Sequence, residues 1–256
     1  LVGVYAGQAN ALAVLPACAA LVLITRGRDS VAGFFLGISL LIKPLAVGFL
    51  AYAIFRARWR LALTASVVLF LVLVPTVWAF GAVSLHSVIA AIGDDPGLSL
   101  TSGYPPAQSL FGLAERWLTQ HHFGWSVADD RSLALMTAWI LSAVIAAITI
   151  GRCWPPLHPA GWSDLQLGLV MTAVLLVNRA TWYHHYAVLI LPLAVAVAAS
   201  KELSDLKFPA LSWLLICVFG VLWHALVGHT LLLDGATLGA CLLWFHLLVR
   251  ARTVNR

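Results

Sequence analysis

Val31–Phe55 reads VAGFFLGISLLIKPLAVGFLAYAIF, an apolar run with one charge, Lys43, and one proline directly after it. An unbroken run of this length spans a bilayer as a helix. Pro44 removes a helix hydrogen bond and disfavours helical backbone at Lys43, so the run is expected to break there. Arg26-Gly27-Arg28 precedes it and Arg56-Ala57-Arg58-Trp59-Arg60 follows it. If the run crossed the membrane, two neighbouring Arg clusters would lie on opposite faces. If it bends at Lys43-Pro44 and returns, both lie inside, as the positive-inside rule favours. The reading is therefore a broken, re-entrant helix pair around Lys43-Pro44.

The rest of the 256 residues fits a membrane frame. The chain is 62% hydrophobic and 10% charged, with mean hydropathy +0.95. Soluble domains carry roughly 25% charged residues. The long apolar runs do not alternate as β-barrel strands do, so the spans are helices. Asn10–Ile24, Leu61–Phe80, Leu133–Ile150, Leu165–Val177, Ala187–Ala199, Pro209–His224 and Leu231–Val249 are the further spans. The expected fold is all-α and polytopic, about seven full spans plus the broken pair, in a single transmembrane domain over 1–256. Residues 81–132 form an outer-face loop, with an interfacial helix at Leu110–Leu118. The chain opens on Leu1 in what reads as the tail of a loop, so a preceding segment is expected. Cys18, Cys153, Cys217 and Cys241 show no paired spacing.

With the hairpin, eleven of the fifteen Lys and Arg fall inside, and Arg116, Arg131 and Arg179 outside. The net charge of +5 is a topology signal at helix ends and implies no nucleic-acid partner. Outside lie Leu1–Gln8, the long loop, Asn178–Tyr186 and Gly228-His229. Six of the ten acids (Asp94, Asp95, Glu115, Asp129, Asp130 and Asp234) lie there too. Walker-type and other Gly-rich phosphate motifs are missing.

Lys43 is the most informative single residue. A charge at bilayer depth costs about 2.5–3.5 kcal/mol on insertion scales and is usually functional or paired. The half-helix Val31–Ile42 rises about 18 Å at 1.5 Å per residue. In a core about 30 Å thick that leaves the ammonium within reach of an outward-facing cavity. A lipid-linked phosphate is its natural partner. Asn178–Tyr186, Asn-Arg-Ala-Thr-Trp-Tyr-His-His-Tyr, is the densest polar stretch. Arg179 suits phosphate oxygens. His184 and His185 point about 100° apart on a helix, so one at most faces a given cavity. Adjacent histidines make a poor metal pair, and no metal is expected. Gln8 and Asn10 open the first span, and Gln108-Ser109 opens the amphipathic stretch with Glu115 and Arg116 at the outer surface. Asp94-Asp95, His121-His122 and Asp129-Asp130 read as solvated turns.

Several of these motifs together carry a resemblance. They are Gly7-Gln8 and Asn10, Arg26-Gly27-Arg28, Ala32-Gly33 through Leu36-Gly37 to Lys43-Pro44, and Arg58-Trp59-Arg60. Gln108-Ser109-Leu110 with Arg116, and Trp182 before His184-His185, follow in order. In order and spacing the chain resembles the polyprenol-phosphate-mannose-dependent α-mannosyltransferases of actinobacteria, membrane glycosyltransferases of the GT-C type. The resemblance runs to about residue 200. It implies transfer of a hexose, mannose by preference, from a polyprenyl-phosphate carrier to a glycolipid or glycan outside the cytoplasmic membrane, with inversion. It implies no cofactor beyond the donor lipid. It also implies a general base in the first outer loop, ahead of the residues matched here.

On this reading Lys43 and Arg179 hold the phosphate, Gln8, Asn10, Gln108, Ser109 and Trp182 bind substrate, and His184 and His185 are the catalytic candidates. The step is direct displacement at the sugar C1, with positioning and leaving-group stabilisation as the main contributions. The competing reading is a transporter or flippase for lipid-linked sugar, because a broken helix with a mid-membrane charge also suits a substrate pathway. Internal repeats, common in transporters, are not visible in the sequence.

Overall fold

Pro44 and a few small residues shape the N-terminal helices. The computed structural model describes residues 10–81, 107–154, 163–179, 181, 183–222 and 229–253. The chain divides into two compact units, Gly3–Leu100, and Thr101–Arg256 with Leu1–Val2. All regular elements among the described residues are helical.

The first unit holds α1 (Asn10–Thr25), α2 (Asp29–Ile42), a 3-10 turn at Pro44–Ala46, α3 (Val47–Phe55) and α4 (Trp59–Phe80). Helix α2 stops at Ile42, and Lys43 is extended, with φ −162° and ψ 131°. Arg58, the residue before α4, donates to both carboxylate oxygens of Asp29, the first residue of α2, at 2.8 and 3.1 Å. One and two turns further along α2, Gly33 and Gly37 lie against α4. A Cβ on Gly33 would stand 2.4 Å from the Leu61 carbonyl oxygen, and one on Gly37 2.7 Å from Val68 Cβ. The register is constant, so α2 and α4 run parallel from one edge and α3 carries the chain back between them. The break and return expected at Lys43-Pro44 are present, and both Arg clusters sit at one end of this unit. Gly33 and Gly37 form the Gly-x-x-x-Gly spacing that lets membrane helices approach closely. Helix α1 runs antiparallel to α2, where Ser39 Oγ donates to the Ala13 carbonyl at 2.6 Å.

The two Arg-containing turns share one hydrogen-bond pattern. Arg28 N–H donates to Leu23 O and Gly27 N–H to Ile24 O, both at 2.9 Å. Thirty residues on (26 to 56, 28 to 58), Arg58 N–H donates to Ala53 O at 2.9 Å and Ala57 N–H to Ile54 O at 3.0 Å. This is the Schellman ending, which needs a left-handed residue at its centre. Gly27 supplies it at φ 70°, and Ala57 at φ 52°. A local repeat is therefore built into the fold.

The second unit holds α5 (Leu110–Leu118), α6 (Arg131–Cys153), α7 (Asp164–Val177), a 3-10 helix at Tyr183–Leu189 and α8 (Ile190–Ala198). After the 3-10 turn Leu203–Leu206 come α9 (Lys207–Leu222), α10 (Thr230–Leu233) and α11 (Gly235–Thr253). Helix α7 is the centre: it is buried over most of its surface from Leu165 to Leu176, with Val170 and Val174 half-buried on one face, and packs on α6, α8 and α11. Helix α5 has the bounds expected from the sequence and lies on α6, with Phe111 edge-on to Trp139 at 5.1 Å. Its N-cap is Ser109, whose side chain accepts from Gly112 N–H. Asp130 caps α6 by accepting from Ser132 and Leu133 N–H, and Asp129 accepts from Gln120 N–H at 3.0 Å. That acidic pair is structural. The span expected over Leu231–Val249 is broken at Asp234, between α10 and α11.

Trp59–Phe80 and Arg131–Cys153 are long and apolar enough to cross a bilayer, and five further apolar helices are shorter. Helix α4 buries only Leu61, Ala62 and Ala65, leaving Phe70, Leu71, Trp78 and Phe80 exposed. Such a face is stable in lipid and unstable in water. The fold is an all-helical membrane fold.

Candidate functional site

Most of the polar chemistry that the sequence pointed to in the second unit converges on one buried residue. Gln108 is 3% exposed. Its Nε2 donates to Leu233 O at 2.7 Å. Its Oε1 accepts from Thr237 N–H at 3.0 Å and from Thr237 Oγ1 at 2.9 Å. Its main chain reaches the other way. Gln108 N–H donates to Thr181 O at 2.8 Å, and its carbonyl accepts from Tyr186 Oη at 2.7 Å. The stretch carrying His184 and His185 is thus tied on both sides to one residue.

A buried ion pair stands beside it. Arg116 Nε donates to Asp234 Oδ1 at 2.6 Å, and both side chains are essentially without exposure. Trp117 Nε1 donates to Asp234 Oδ2 at 2.6 Å. Arg116 NH1 donates to Ala107 O at 2.7 Å. That carbonyl lies over Gly112, where a Cβ would stand 2.1 Å from it, so glycine makes the room that Arg116 uses. Arg116 was expected at the surface of an interfacial helix, and the structure corrects this: its side chain is buried and is neutralised by Asp234 inside the protein. Sequence spacing gave no sign of the pairing, because the partners lie 118 residues apart.

Histidine 121 has a fixed tautomer. Its Nδ1 accepts from Phe123 N–H at 3.2 Å, so the neutral ring carries its proton on Nε2 and donates to Arg116 O, at 2.8 Å. It locks the end of α5, and His122 beside it is exposed. Glu115 is half-buried. Burial pushes its carboxyl above the ordinary range, and Arg179, Arg131 and Arg116 pull it down. Arg179 is therefore within electrostatic reach of α5, and it is exposed at the end of α7. Here one cation and one half-buried carboxyl share a region with the histidine stretch.

The other expected site residues are placed as follows. His184 and His185 lie in a 3-10 helix, Tyr183–Leu189, whose backbone turns about 120° per residue where an α-helix turns about 100°. His185 is half-buried. The side chains of His184 and Asn10 lie outside the described residues, as do Gln8, Trp182 and Asp94-Asp95. Ser109 is fully buried as the cap of α5. Lys43 belongs to the first unit, where it is half-buried at the helix break. Gln108, Ser109, Arg179 and the histidines belong to the second. Among the described residues, no three His, Cys, Asp or Glu side chains converge.

A family model described as Glycosyltransferase family 87 matches residues 1–178, more than two thirds of the chain. The chain belongs to glycosyltransferase family 87. This glycosyltransferase is similar to no curated protein and to no solved structure among those compared. The matched part includes the re-entrant pair, Lys43, Gln108, Arg116 and all of α7. It ends at Asn178, the first residue of the histidine stretch. The transferase therefore joins a matched part to a C-terminal part through the hydrogen bonds of Gln108.

Proposed function

We propose that this glycosyltransferase moves a hexose, by preference mannose, from a polyprenyl-phosphate donor to a glycolipid or glycan acceptor, inverting the anomeric centre. The observation that carries the reading is the family match over a membrane helical fold. The helix break at Lys43 and the cation Arg179 beside the histidine stretch support it.

A phosphate leaving group needs cations, and Lys43 and Arg179 are proposed for it. Lys43 is half-buried at a break in an apolar run, where a charge is costly unless used. His184 and His185 are the proposed catalytic pair, with Gln8, Asn10 and Trp182 proposed to bind substrate. The side-chain amide of Gln108 is engaged by Leu233 and Thr237, and Ser109 caps a helix. Their proposed contribution is accordingly to hold the site in shape. The proposed location is the cytoplasmic membrane, multi-pass with about seven full spans and the site on the outer face. No cofactor, metal or nucleic-acid partner enters this reading.

The test is transfer itself. Membranes carrying the full-length protein, given radiolabelled polyprenyl-phosphate-mannose and a lipid acceptor, are expected to form product. Translocation of label with no new glycosidic bond would instead establish the flippase reading. Lys43→Ala is expected to lower transfer at least about 100-fold with insertion unchanged, the scale of losing one transition-state charge contact. Unchanged turnover removes Lys43 from the phosphate site.

A further inference from the structure

We infer that Gln108 is a positioning residue, and that the Leu233–Thr237 corner between α10 and α11 is part of the scaffold holding the His184-His185 stretch. Two main-chain bonds of Gln108 bracket that stretch: one to Thr181 O, the other from Tyr186 Oη. The Gln108 side chain is anchored in turn by Leu233 O and by both Thr237 donors. Asp234, in the same corner, grips Arg116 and Trp117 of α5. Arg116 then holds Ala107 O, one residue before Gln108.

Gln108, Arg116, Thr181, Tyr186, Leu233, Asp234 and Thr237 are buried, and Ala107 and Trp117 are half-buried. An apolar side chain would fill the Gln108 site at lower desolvation cost, so a polar hub there specifies one geometry. A buried amide that has its partners also has no slack, which suits a residue that must hold others still. Displacements near 1 Å at a reacting centre are worth up to about 100-fold in rate. The scaffold therefore reaches the histidines from a corner beyond the family-matched residues.

The inference rests on the transferase reading for its kinetic arm only. Thr237→Val keeps side-chain shape and deletes the hydroxyl donor, Tyr186→Phe deletes the phenolic donor, and Thr237→Ser keeps the hydroxyl. Using the whole chain in lipid nanodiscs, amide hydrogen exchange at Gln108 and across residues 183–189 is expected to rise in Thr237→Val and Tyr186→Phe. It is expected to return to the wild-type level in Thr237→Ser, with the unfolding midpoint shifted by no more than about 3 °C in any variant. In transfer assays kcat is expected to fall about tenfold in the first two variants, with donor KM within about twofold, and to recover in the third. Unchanged exchange in both deletions overturns the inference, as does exchange raised evenly over the whole second unit. Raised local exchange with normal kcat overturns the positioning role. A wild-type full-length protein that transfers no sugar defeats the transferase reading and leaves the exchange result standing.

Discussion

One ion pair from each unit shows two opposite ways of handling charge. In the first, Arg58 and Asp29 meet in a turn at one edge, each side chain about one fifth exposed. In the second, Arg116 and Asp234 meet with no water at all. The first pair sits where the positive-inside rule puts it and joins two helix starts that neighbouring turns already bring together. The second replaces hydration with two further hydrogen bonds, from Trp117 to Asp234 and from Arg116 to the Ala107 carbonyl. An ion pair at an edge adds little, whereas one in a core obliges the chain to adopt the single arrangement that satisfies it.

Breaking each pair measures that difference directly. Arg116→Ala leaves Asp234 buried and uncompensated, and is expected to cost about 3–5 kcal/mol, read as loss of monodisperse protein or a large fall in unfolding midpoint. Arg116→Met combined with Asp234→Leu is expected to recover most of it, since the cost lies in the orphaned charge. Asp29→Asn is expected to cost under about 1 kcal/mol. Equal losses from Arg116→Ala and Asp29→Asn would erase the contrast between the units.

The turns sharpen the comparison at a smaller scale. Ala57 carries the left-handed conformation that Gly27 carries in the matching turn. A non-glycine residue there costs about 1–2 kcal/mol. Ala57→Gly is therefore expected to stabilise by about 1 kcal/mol and Gly27→Ala to destabilise by a similar amount, in chemical denaturation. Opposite signs confirm that one strain is shared between two copies of one turn.

The smallest effect concerns an exposed pair in the second unit. Asp205 is held down to about 2 by its hydrogen bond from Arg250, then by the N–H groups of Lys201 and Glu202. A carboxyl with a lowered folded value contributes stability above its unfolded value, and that contribution fades as pH falls from about 4 to about 2. The gap in unfolding midpoint between wild type and Asp205→Asn is expected to be small and constant above about pH 5, and to close toward pH 2. A gap that stays constant down to about pH 2 would show that the ionised Asp205 carboxylate contributes no stability.

Much of the helical layout was legible in order. Pro44 behind Lys43 announced the break, and the Arg clusters announced the return, because backbone sterics and topology rules act locally. Leu110–Leu118 was legible from its amphipathic period. The Gly33–Gly37 packing is readable from its spacing, whereas the likeness of the two turns is masked by a central residue that differs between them. At the candidate site, Arg179 and the histidines stood out as polar residues in an apolar chain. Their tether to Gln108 did not, since hydrogen bonds across 78 residues leave no local pattern.

The sequence by itself determined a helical membrane chain, a broken helix at Lys43 and an Arg-rich edge, because hydropathy, proline geometry and charge placement each act within one segment. Only the tertiary structure decided that Arg116 and Asp234 are core residues and that Gln108 is the tie between three motifs. Burial is a property of what surrounds a side chain, and here the surroundings come from segments more than one hundred residues away.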